Sequence, residues 1–263
     1  MIDIHSHILP NIDDGARSLD EALKMAAIAA ADGIEQMVCT PHMFNGLSRN
    51  PEPSEIEALV ARLQSAIGSN GLTVLPGNEV HFTRDIVKQA DTRRVKTING
   101  KNYMLVEFPT AVVPKSAMST LSQLLLQGVS PILVHPERNL AIQRRPSIVA
   151  DLVNGGVLIQ VTAMSVTGQF GAASKLCADS LLKHNCVHFL ATDTHRAEKR
   201  PPILSRGRDI AASIIGAEAA RRLVEENPLA VVTGASIQPG AVIPYEEAPH
   251  SSPRSFFGRF FRR

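Results

Sequence analysis

The chain has 263 residues, of which 44% are hydrophobic, and its formal net charge is +2. Four arginines and no acid lie in residues 251–263, so the rest of the +2 chain carries −2 and lacks the basic footprint of a nucleic-acid-binding protein. The three cysteines form no CxxC pair, which argues against a disulfide framework and against a thiolate zinc site.

Strand and helix patterns alternate along the chain. The predicted strands are, in order, MIDIHSH, MVCTPH, TVLPGNE, YMLVE, PILVH, VLIQVTAMSV and VHFLATDTH. Helical periodicity predicts helices over 18–33, 54–69, 115–127, 146–156, 171–184, 202–215 and 217–226. The first of these begins at a capping box, since Ser18 is followed by Glu21.

Seven strand–helix units of this kind favour a parallel sheet with helices outside it. We therefore expect an α/β protein with a distorted, TIM-like (β/α)7 barrel, in one domain over 1–239. An open doubly wound sheet is the alternative, but its functional residues would gather at one switch point. Residues 240–263 read as a Pro/Ser-rich linker and a basic, Phe-rich tail.

Strand-like sequence starts at residue 2, and no apolar stretch approaches the ~18–20 residues that span a bilayer. We expect no secretory segment and a cytoplasmic protein. The tail PRSFFGRFFRR could gather its phenylalanines on one helical side, which predicts peripheral contact with an anionic membrane. The alternative is a disordered tail, or one that packs on its own or a neighbouring subunit.

Six of the predicted strands end in a histidine or a carboxylate, and such endings meet at one end of a parallel barrel. His5 and His7 are two apart on a strand, so both side chains leave the same face. Asp193 and His195 repeat that spacing. The candidate metal ligands at the strand ends are His5, His7, His42, Glu79, Glu107, His135, Asp193 and His195.

Asp13 and Asp14 lie in a DDG sequence that also reads as a plain turn. We favour Asp14 as a further ligand, because this loop leaves the first strand directly. The remaining histidines and Cys39 are interpreted as non-ligands; these histidines are His81, His184, His188 and His250. Nitrogen and oxygen ligands without sulfur suit Mn, Fe or Zn better than Mg or Ca.

Two or three clustered divalent ions can generate hydroxide near neutral pH and neutralise a phosphoryl group during in-line attack. Arg138 and Arg200 follow candidate ligands closely, so we predict that both bind phosphate oxygens. Other phosphatase chemistries lack their motifs. No cysteine begins a Cx5R loop, and neither GxxxxGK[ST] nor GxSxG is present.

The segments HSHILPNIDDGARSLDEALKMA, TPH, GNE, VEFP, HPER, QVTAMSVTGQFG and DTHR resemble the PHP superfamily (polymerase and histidinol phosphatase). Within it, DIHSHILPNIDDG and the QFG segment most resemble the CpsB/CapC branch of bacterial protein-tyrosine phosphatases. The resemblance spans roughly residues 1–235. DTH and TAMSV depart mildly from the patterns of that branch, and neither departure removes a ligand.

The resemblance implies a (β/α)7 barrel, a trinuclear and often manganese-dependent site, and hydrolysis of protein phosphotyrosine. The implied substrate is the tyrosine-rich tail of a membrane tyrosine autokinase that controls capsule or exopolysaccharide export. Arg138 and Arg200 match the phosphate-binding arginines of the family. The implied ligands are His5, His7, Glu79 and Asp193 for the first ion, Glu79, Glu107 and His135 for the second, and Asp14, His42 and His195 for the third.

Two other functions stay open at this point. A histidinol-phosphate or other small-molecule phosphatase would use the same ligands. A metal-stabilised module that docks kinase tails without turnover would be marked by a missing ligand, and the sequence lacks none of them. A phosphodiesterase or exonuclease is disfavoured because the chain has no basic groove pattern.

Overall fold

The computed structural model describes residues 1–69 and 71–246. Its strands are β1 Ile2–Ser6, β2 Gln36–Cys39, β3 His42–Met43, β4 Thr73–Pro76, β5 Glu79–His81, β6 Tyr103–Glu107, β7 Ser130–Val134, β8 Leu158–Thr162 and β9 Phe189–Ala191. Its helices are α1 Leu19–Ala31, α2 Pro53–Ile67, α3 Ile86–Asp91, α4 Ala117–Leu126, α5 Leu140–Arg144, α6 Ser147–Asn154, α7 Ala163–Val166, α8 Ala172–Lys183, α9 Ser205–Ile215, α10 Ala217–Arg222 and α11 Glu226–Thr233.

The strands form two parallel ladders, β1-β2-β4 and β3-β5-β6-β7-β8-β9. β2 continues into β3, and β4 into β5, after two residues in each case, so the ladders make seven consecutive strand positions. The ring stays open between its first and last strands. There a single bridge joins Ser6 to Thr194, and Asp193 N donates to His5 O at 2.9 Å. The expected distorted (β/α)7 barrel is therefore confirmed, with an unclosed seam beside the end of β1.

Successive residues of each strand point into different apolar clusters, as strand geometry requires. Met37, Leu133 and Ile159 pack with the helices in the outer cluster. Val38 and Ile132, their neighbours in sequence, lie in the inner cluster. α11 adds Val231 and Val232 to this inner cluster, so it covers the end of the barrel that faces away from the strand carboxyl ends.

The structure corrects several predicted elements. The strand predicted as VLIQVTAMSV ends at Thr162, and Ala163–Val166 form α7. A largely apolar run of this length does not distinguish strand from helix. In the structure Glu137 Oε1 accepts from Thr162 N and Ser165 Oγ at 3.1 and 2.6 Å, and so bonds to the segment in which β8 gives way to α7. The helix predicted over 217–226 ends at Arg222. α3, α5 and α11 were not predicted.

The predicted linker and tail fall partly outside the described residues, as does His250. Within the described part, Ile243 N donates to His184 O at 2.9 Å, and the Tyr245 ring stacks on His184 with centroids 3.6 Å apart. None of the helices formed by residues 1–69 and 71–246 combines the length and apolar character needed to cross a bilayer.

Candidate metal centre

All nine predicted ligands converge at the carboxyl ends of the strands. Their side-chain nitrogen and oxygen atoms form overlapping sets whose members lie within 4.8 Å of one another. The sets are His7, Asp14, His42 and His195; His5, His7 and Asp193; His5, Glu79 and His135; and His42, Glu79 and Glu107. Because each set shares a residue with another, the residues form one continuous centre.

The carboxylate of Glu79 lies in the middle of this centre and is fully buried. Its Oε1 is 2.8 Å from His135 Nε2 and 3.4 Å from His5 Nε2. Its Oε2 is 2.7 Å from His42 Nδ1 and 3.3 Å from His7 Nε2. Burial alone would raise the pKa of Glu79, but the positive charges of His5 and His42 hold it well below its usual value.

The backbone before Glu79 fixes where the carboxylate points. Asn78 Nδ2 donates to Pro41 O at 3.1 Å, and Asn78 Oδ1 accepts from Lys96 N at 2.7 Å. Gly77 packs so closely on β2 that a Cβ there would lie 2.8 Å from Val38 Cγ1. The turn between β4 and β5 therefore requires glycine and locks β5 in register.

The hydrogen bonds of His5 and His7 fix how both rings present their nitrogens. His5 Nδ1 lies 2.8 Å from Gln160 Oε1, and His7 Nδ1 lies 2.7 Å from Asp13 Oδ2. Because both partners are acceptors, each Nδ1 carries the proton. Once these rings lose their second protons, the two Nε2 atoms, 3.3 Å apart, direct lone pairs at the same space, which is the arrangement of two imidazoles that share a cation.

Asp13 is held beside His7 by the loop that follows β1. Its Oδ1 accepts from Gly15 N at 2.9 Å, and a Cβ at Gly15 would lie 1.9 Å from His7 O. Burial alone would lower the pKa of His7, but the charge and hydrogen bond of Asp13 raise it to about 9. In the metal-free protein, protons on these histidines supply positive charge that a metal ion would replace.

Asp14 is the exposed member of the centre. Its side chain is 66% exposed, and its Oδ1 lies 3.4 Å from both His42 Nε2 and His195 Nε2. Hydrogen bonds from His195 and then His42 hold the pKa of Asp14 far below its usual value. His195 Nδ1 donates to Asp193 O at 3.0 Å, so His195 presents its Nε2 toward Asp14.

Asp193 and His135 adopt left-handed backbone conformations, with φ of 50° and 35°. Such conformations are costly for residues other than glycine and are typical of functional sites.

Asp193 Oδ2 accepts from Arg138 Nη1 at 2.6 Å and also from Arg200 Nη2. Its Oδ1 faces His5 and His7. One carboxylate thus connects the candidate ligands to both predicted phosphate-binding arginines.

Buried polar atoms without hydrogen-bond partners test whether the residues fit a metal. His42 Nδ1 and Glu79 Oε2 are buried and 2.7 Å apart, yet neither has a hydrogen-bond partner of acceptable geometry. Buried polar atoms without partners are costly. A cation between nitrogen and oxygen donors satisfies them, so the donor set fits Mn, Fe or Zn.

The centre opens into a cavity of about 700 Å³. Its lining includes Asn11, Asp14, His42, Leu47, His81 and Glu107. Leu47 is 93% exposed at the rim. A mouth of this size admits a side chain that remains attached to a protein, as well as a free small molecule.

The other histidines lie in different surroundings. His81 Nδ1 is 3.3 Å from Glu107 Oε2 at the mouth. His188 is buried at the opposite end of β9, where its Nδ1 accepts from Ile159 N at 3.0 Å. Cys39 is buried in β2, and burial raises the pKa of its thiol. His250 is outside the described residues.

Sequence reasoning missed three residues at this site. Asp13 was read as part of a turn, although its position in the loop after the HxH strand was itself a signal. Gln160 lies within the run predicted as a strand, and a polar residue among buried strand positions was the available signal. Phe170 lies beside Arg138 and Arg200, and no pattern in the sequence pointed to that contact.

Comparison with known proteins agrees with this geometry. Residues 1–233 match the family described as capsular polysaccharide synthesis, CpsB/CapC. The chain is 36% identical over 202 residues to the tyrosine-protein phosphatase YwqE of Bacillus subtilis, which covers 76% of this chain and 79% of that protein. It is 30% identical over 238 residues to the tyrosine-protein phosphatase CpsB of Streptococcus pneumoniae, covering 88% of this chain and 98% of that protein.

A crystal structure from work on YwqE of Bacillus subtilis and CpsB of Streptococcus pneumoniae has the same fold. That work describes them as metal-dependent tyrosine phosphatases. The superposition has a TM-score of 0.89 at 32% sequence identity and covers 94% of this chain and 100% of that one.

Proposed function

The chain belongs to the CpsB/CapC family, and from that premise we propose that it is a metal-dependent phosphatase that hydrolyses phosphotyrosine in proteins. The observation that carries the proposal is the continuous centre around Glu79. Beside it, Arg138 and Arg200 both donate hydrogen bonds to Asp193. Relatives named tyrosine-protein phosphatases align over most of this chain, which supports the choice of substrate class.

When bound, clustered divalent ions supply a hydroxide nucleophile near neutral pH and offset the charge of the phosphoryl group. We assign manganese as the resident metal because the family resemblance implies it; the nitrogen and oxygen donors suit manganese, iron and zinc alike. The assignment of ligands follows the family resemblance. His5, His7, Glu79 and Asp193 would hold one ion, Glu79, Glu107 and His135 a second, and Asp14, His42 and His195 a third.

The residues around the ions bind and orient the substrate. Arg138 and Arg200 donate to the free phosphoryl oxygens, as guanidinium groups do in two-point contacts. Asp14 and His42 line the open mouth, and there they orient the attacking water with its proton toward the carboxylate. A bond forms between the water oxygen and phosphorus, the bond from phosphorus to the tyrosyl oxygen breaks, and the water proton passes by way of the Asp14 carboxylate to the tyrosyl oxygen, which leaves as the phenol.

The finer substrate is the phosphotyrosine tail of a membrane tyrosine autokinase that controls capsule or exopolysaccharide synthesis. The family description, capsular polysaccharide synthesis, supports this choice, as do the tyrosine-phosphatase names of the relatives. An enzyme with this substrate would act in the cytoplasm at the inner face of the membrane. We propose that the basic, Phe-rich residues 251–263, outside the described part of the chain, make peripheral membrane contact there.

A comparison of substrates tests the proposal. The metal-loaded protein is assayed for phosphate release from phosphotyrosyl peptides, phosphoseryl peptides and histidinol phosphate, before and after treatment with a chelator. We expect the highest kcat/KM on phosphotyrosyl peptides and loss of activity with the chelator. A strong preference for histidinol phosphate would replace protein phosphotyrosine with a small-molecule substrate. Metal binding without turnover of any ester would instead indicate the docking module.

A further inference from the structure

The ring of Phe170 lies against both arginines of the centre. Arg138 Cζ is 4.8 Å from the ring centroid and Arg200 Cζ is 5.2 Å from it. Both distances are within the ~6 Å at which a guanidinium is attracted to an aromatic face. One ring therefore serves two cations that also share one oxygen of Asp193.

The three residues lie in the segments that follow three adjacent strands. Arg138 is in the 3₁₀ turn after β7, Phe170 is in the loop between α7 and α8 after β8, and Arg200 follows β9. The strand order is β7-β8-β9. Phe170 is therefore carried by the loop between those that carry the arginines, which is the position from which one side chain can reach both.

The loop fixes the backbone of Phe170 independently of the arginines. Gly168 and Gly171, on either side, have φ of 84° and 90°, which residues with a Cβ rarely adopt. Phe170 N donates to Met164 O at 3.3 Å, and Gly171 N donates to Gly168 O at 3.0 Å. Two left-handed glycines and these bonds make a tight turn that presents the ring.

Asp193 holds one end of each guanidinium group, and the ring of Phe170 adds a second surface that restricts both of them. They carry like charges, and arginine side chains lose rotamer freedom when they are held in one place. Arg138 and Arg200 are 32% and 21% exposed, so water competes for them. An aromatic face attracts both cations and leaves their N–H edges free to donate to an anion.

We propose that Phe170 is a positioning residue that holds Arg138 and Arg200 as a preformed clamp for the phosphoryl group. This inference rests on the proposed role of the two arginines in phosphate binding. Phe170 acts through them rather than on the reacting atoms. It therefore affects the affinity for phosphate more than the rate of the bound substrate.

Calorimetric titration of the metal-loaded protein with inorganic phosphate tests this. We expect Phe170→Leu, which keeps apolar bulk but removes the π face, to weaken phosphate binding about tenfold. Phe170→Tyr keeps the ring and should bind as the wild type does. Gln169→Ala, which alters the neighbouring residue of the same exposed loop, is the matched control and should also bind normally.

Two further measurements separate this role from a general loss of structure. With an aryl phosphate, Phe170→Leu should raise KM while kcat stays within about twofold. In a background that already carries Arg138→Ala and Arg200→Ala, the same change should weaken phosphate binding no further. A structural role would lower kcat and melting temperature together and would persist in that background.

Three outcomes contradict the inference. The first is normal phosphate affinity in Phe170→Leu, and the second is an equal loss of phosphate affinity in Phe170→Tyr. The third is a loss of phosphate affinity that Phe170→Leu still causes when both arginines have been replaced by alanine. A wild-type protein that binds no phosphate contradicts it as well. Failure of the proposed substrate is separately visible, because phosphotyrosine turnover is measured on peptides whereas this test uses inorganic phosphate.

Discussion

Asp13 Oδ2 lies 2.7 Å from His7 Nδ1, on the side of the ring opposite the metal centre. The carboxylate fixes the protonated Nδ1 and so leaves Nε2 free to bind a metal. Partners of this kind orient ligating histidines and increase their basicity.

We expect Asp13→Asn to weaken metal binding by roughly 10–100-fold, because the amide is uncharged and can also present N–H groups to the ring. Competition titration with a metal chelator measures the affinity. Asp20→Asn, an exposed change in the first turn of α1, is the control. Equal metal affinity in Asp13→Asn and the wild type would show that Asp13 serves only the turn.

Glu79→Gln should remove hydrolysis and lower the number of bound ions. The amide keeps the shape of the side chain but loses the negative charge that faces four imidazoles at 2.7 to 3.4 Å. Elemental analysis and phosphate release together measure the effect. Glu35→Gln, at an exposed position, is the control. Full metal content with wild-type turnover would be incompatible with the proposed centre.

The strand ends made most of this centre predictable. Parallel strands place their carboxyl ends together, so His5, Glu79 and His135 could be grouped without knowing the order of the strands. Asp14 could be included because its loop leaves β1 directly. The sequence cannot show which nitrogen of a histidine is protonated, since that depends on partners such as Gln160 that are distant in the chain.

The parts that could not be predicted depend on tertiary contacts. The run 157–166 is largely apolar, and its pattern does not show that β8 ends at Thr162, where Thr162 N and Ser165 Oγ donate to the distant Glu137 Oε1. α11 is short and carries few periodic positions, yet Val231 and Val232 bury against the inner cluster. The contact of Phe170 with both arginines likewise requires three adjacent strands.

Arg138→Ala and Arg200→Ala should each raise KM for an aryl phosphate by roughly 10–100-fold, the range expected for one lost charge-assisted hydrogen bond. Metal content should stay close to that of the wild type. Steady-state kinetics at several phosphate-ester concentrations measure the change. Arg196→Ala is the matched control, because this arginine is in the same loop as Arg200 but pairs with Glu21 at 3.3 Å. An unchanged KM in both variants would remove the arginines from phosphate binding.

Gly15→Ala should disturb both the metal centre and the stability of the protein. A Cβ at this position would lie 1.9 Å from the carbonyl oxygen of His7 and 2.6 Å from its Cβ. Because the contact is with backbone, β1 or the loop must move, at a cost of roughly 2–4 kcal/mol. Urea unfolding measures this cost.

Gly46→Ala is the control for the glycine substitution, since a Cβ at Gly46 meets no atom within 4 Å and only its φ of 75° is unfavourable. A Gly15→Ala protein as stable as Gly46→Ala, with normal metal affinity, would show that the loop after β1 adapts without moving His7.

His188 should make the fold less stable in mild acid. Burial lowers its pKa from 6.5 to about 4, and its Nδ1 accepts from Ile159 N at 3.0 Å, so the folded protein keeps the ring neutral. Between pH 6.5 and about 4 the unfolded chain binds a proton here and the folded one does not, so stability falls as the pH falls through this window. From pH 7.5 to 5 the loss from this one residue should be about 2 kcal/mol.

Urea unfolding in the presence of a chelator, at both pH values, measures the free energy of unfolding without a contribution from bound metal. His188→Gln keeps an acceptor but does not titrate, so between these pH values its free energy of unfolding should fall by that much less than the wild type's. His184→Gln, at a partly exposed position, is the control and should show the same pH dependence as the wild type. Identical pH dependence in all three proteins would mean that His188 is protonated in the fold, and a partner for that proton would then have to lie among the residues around the end of β9.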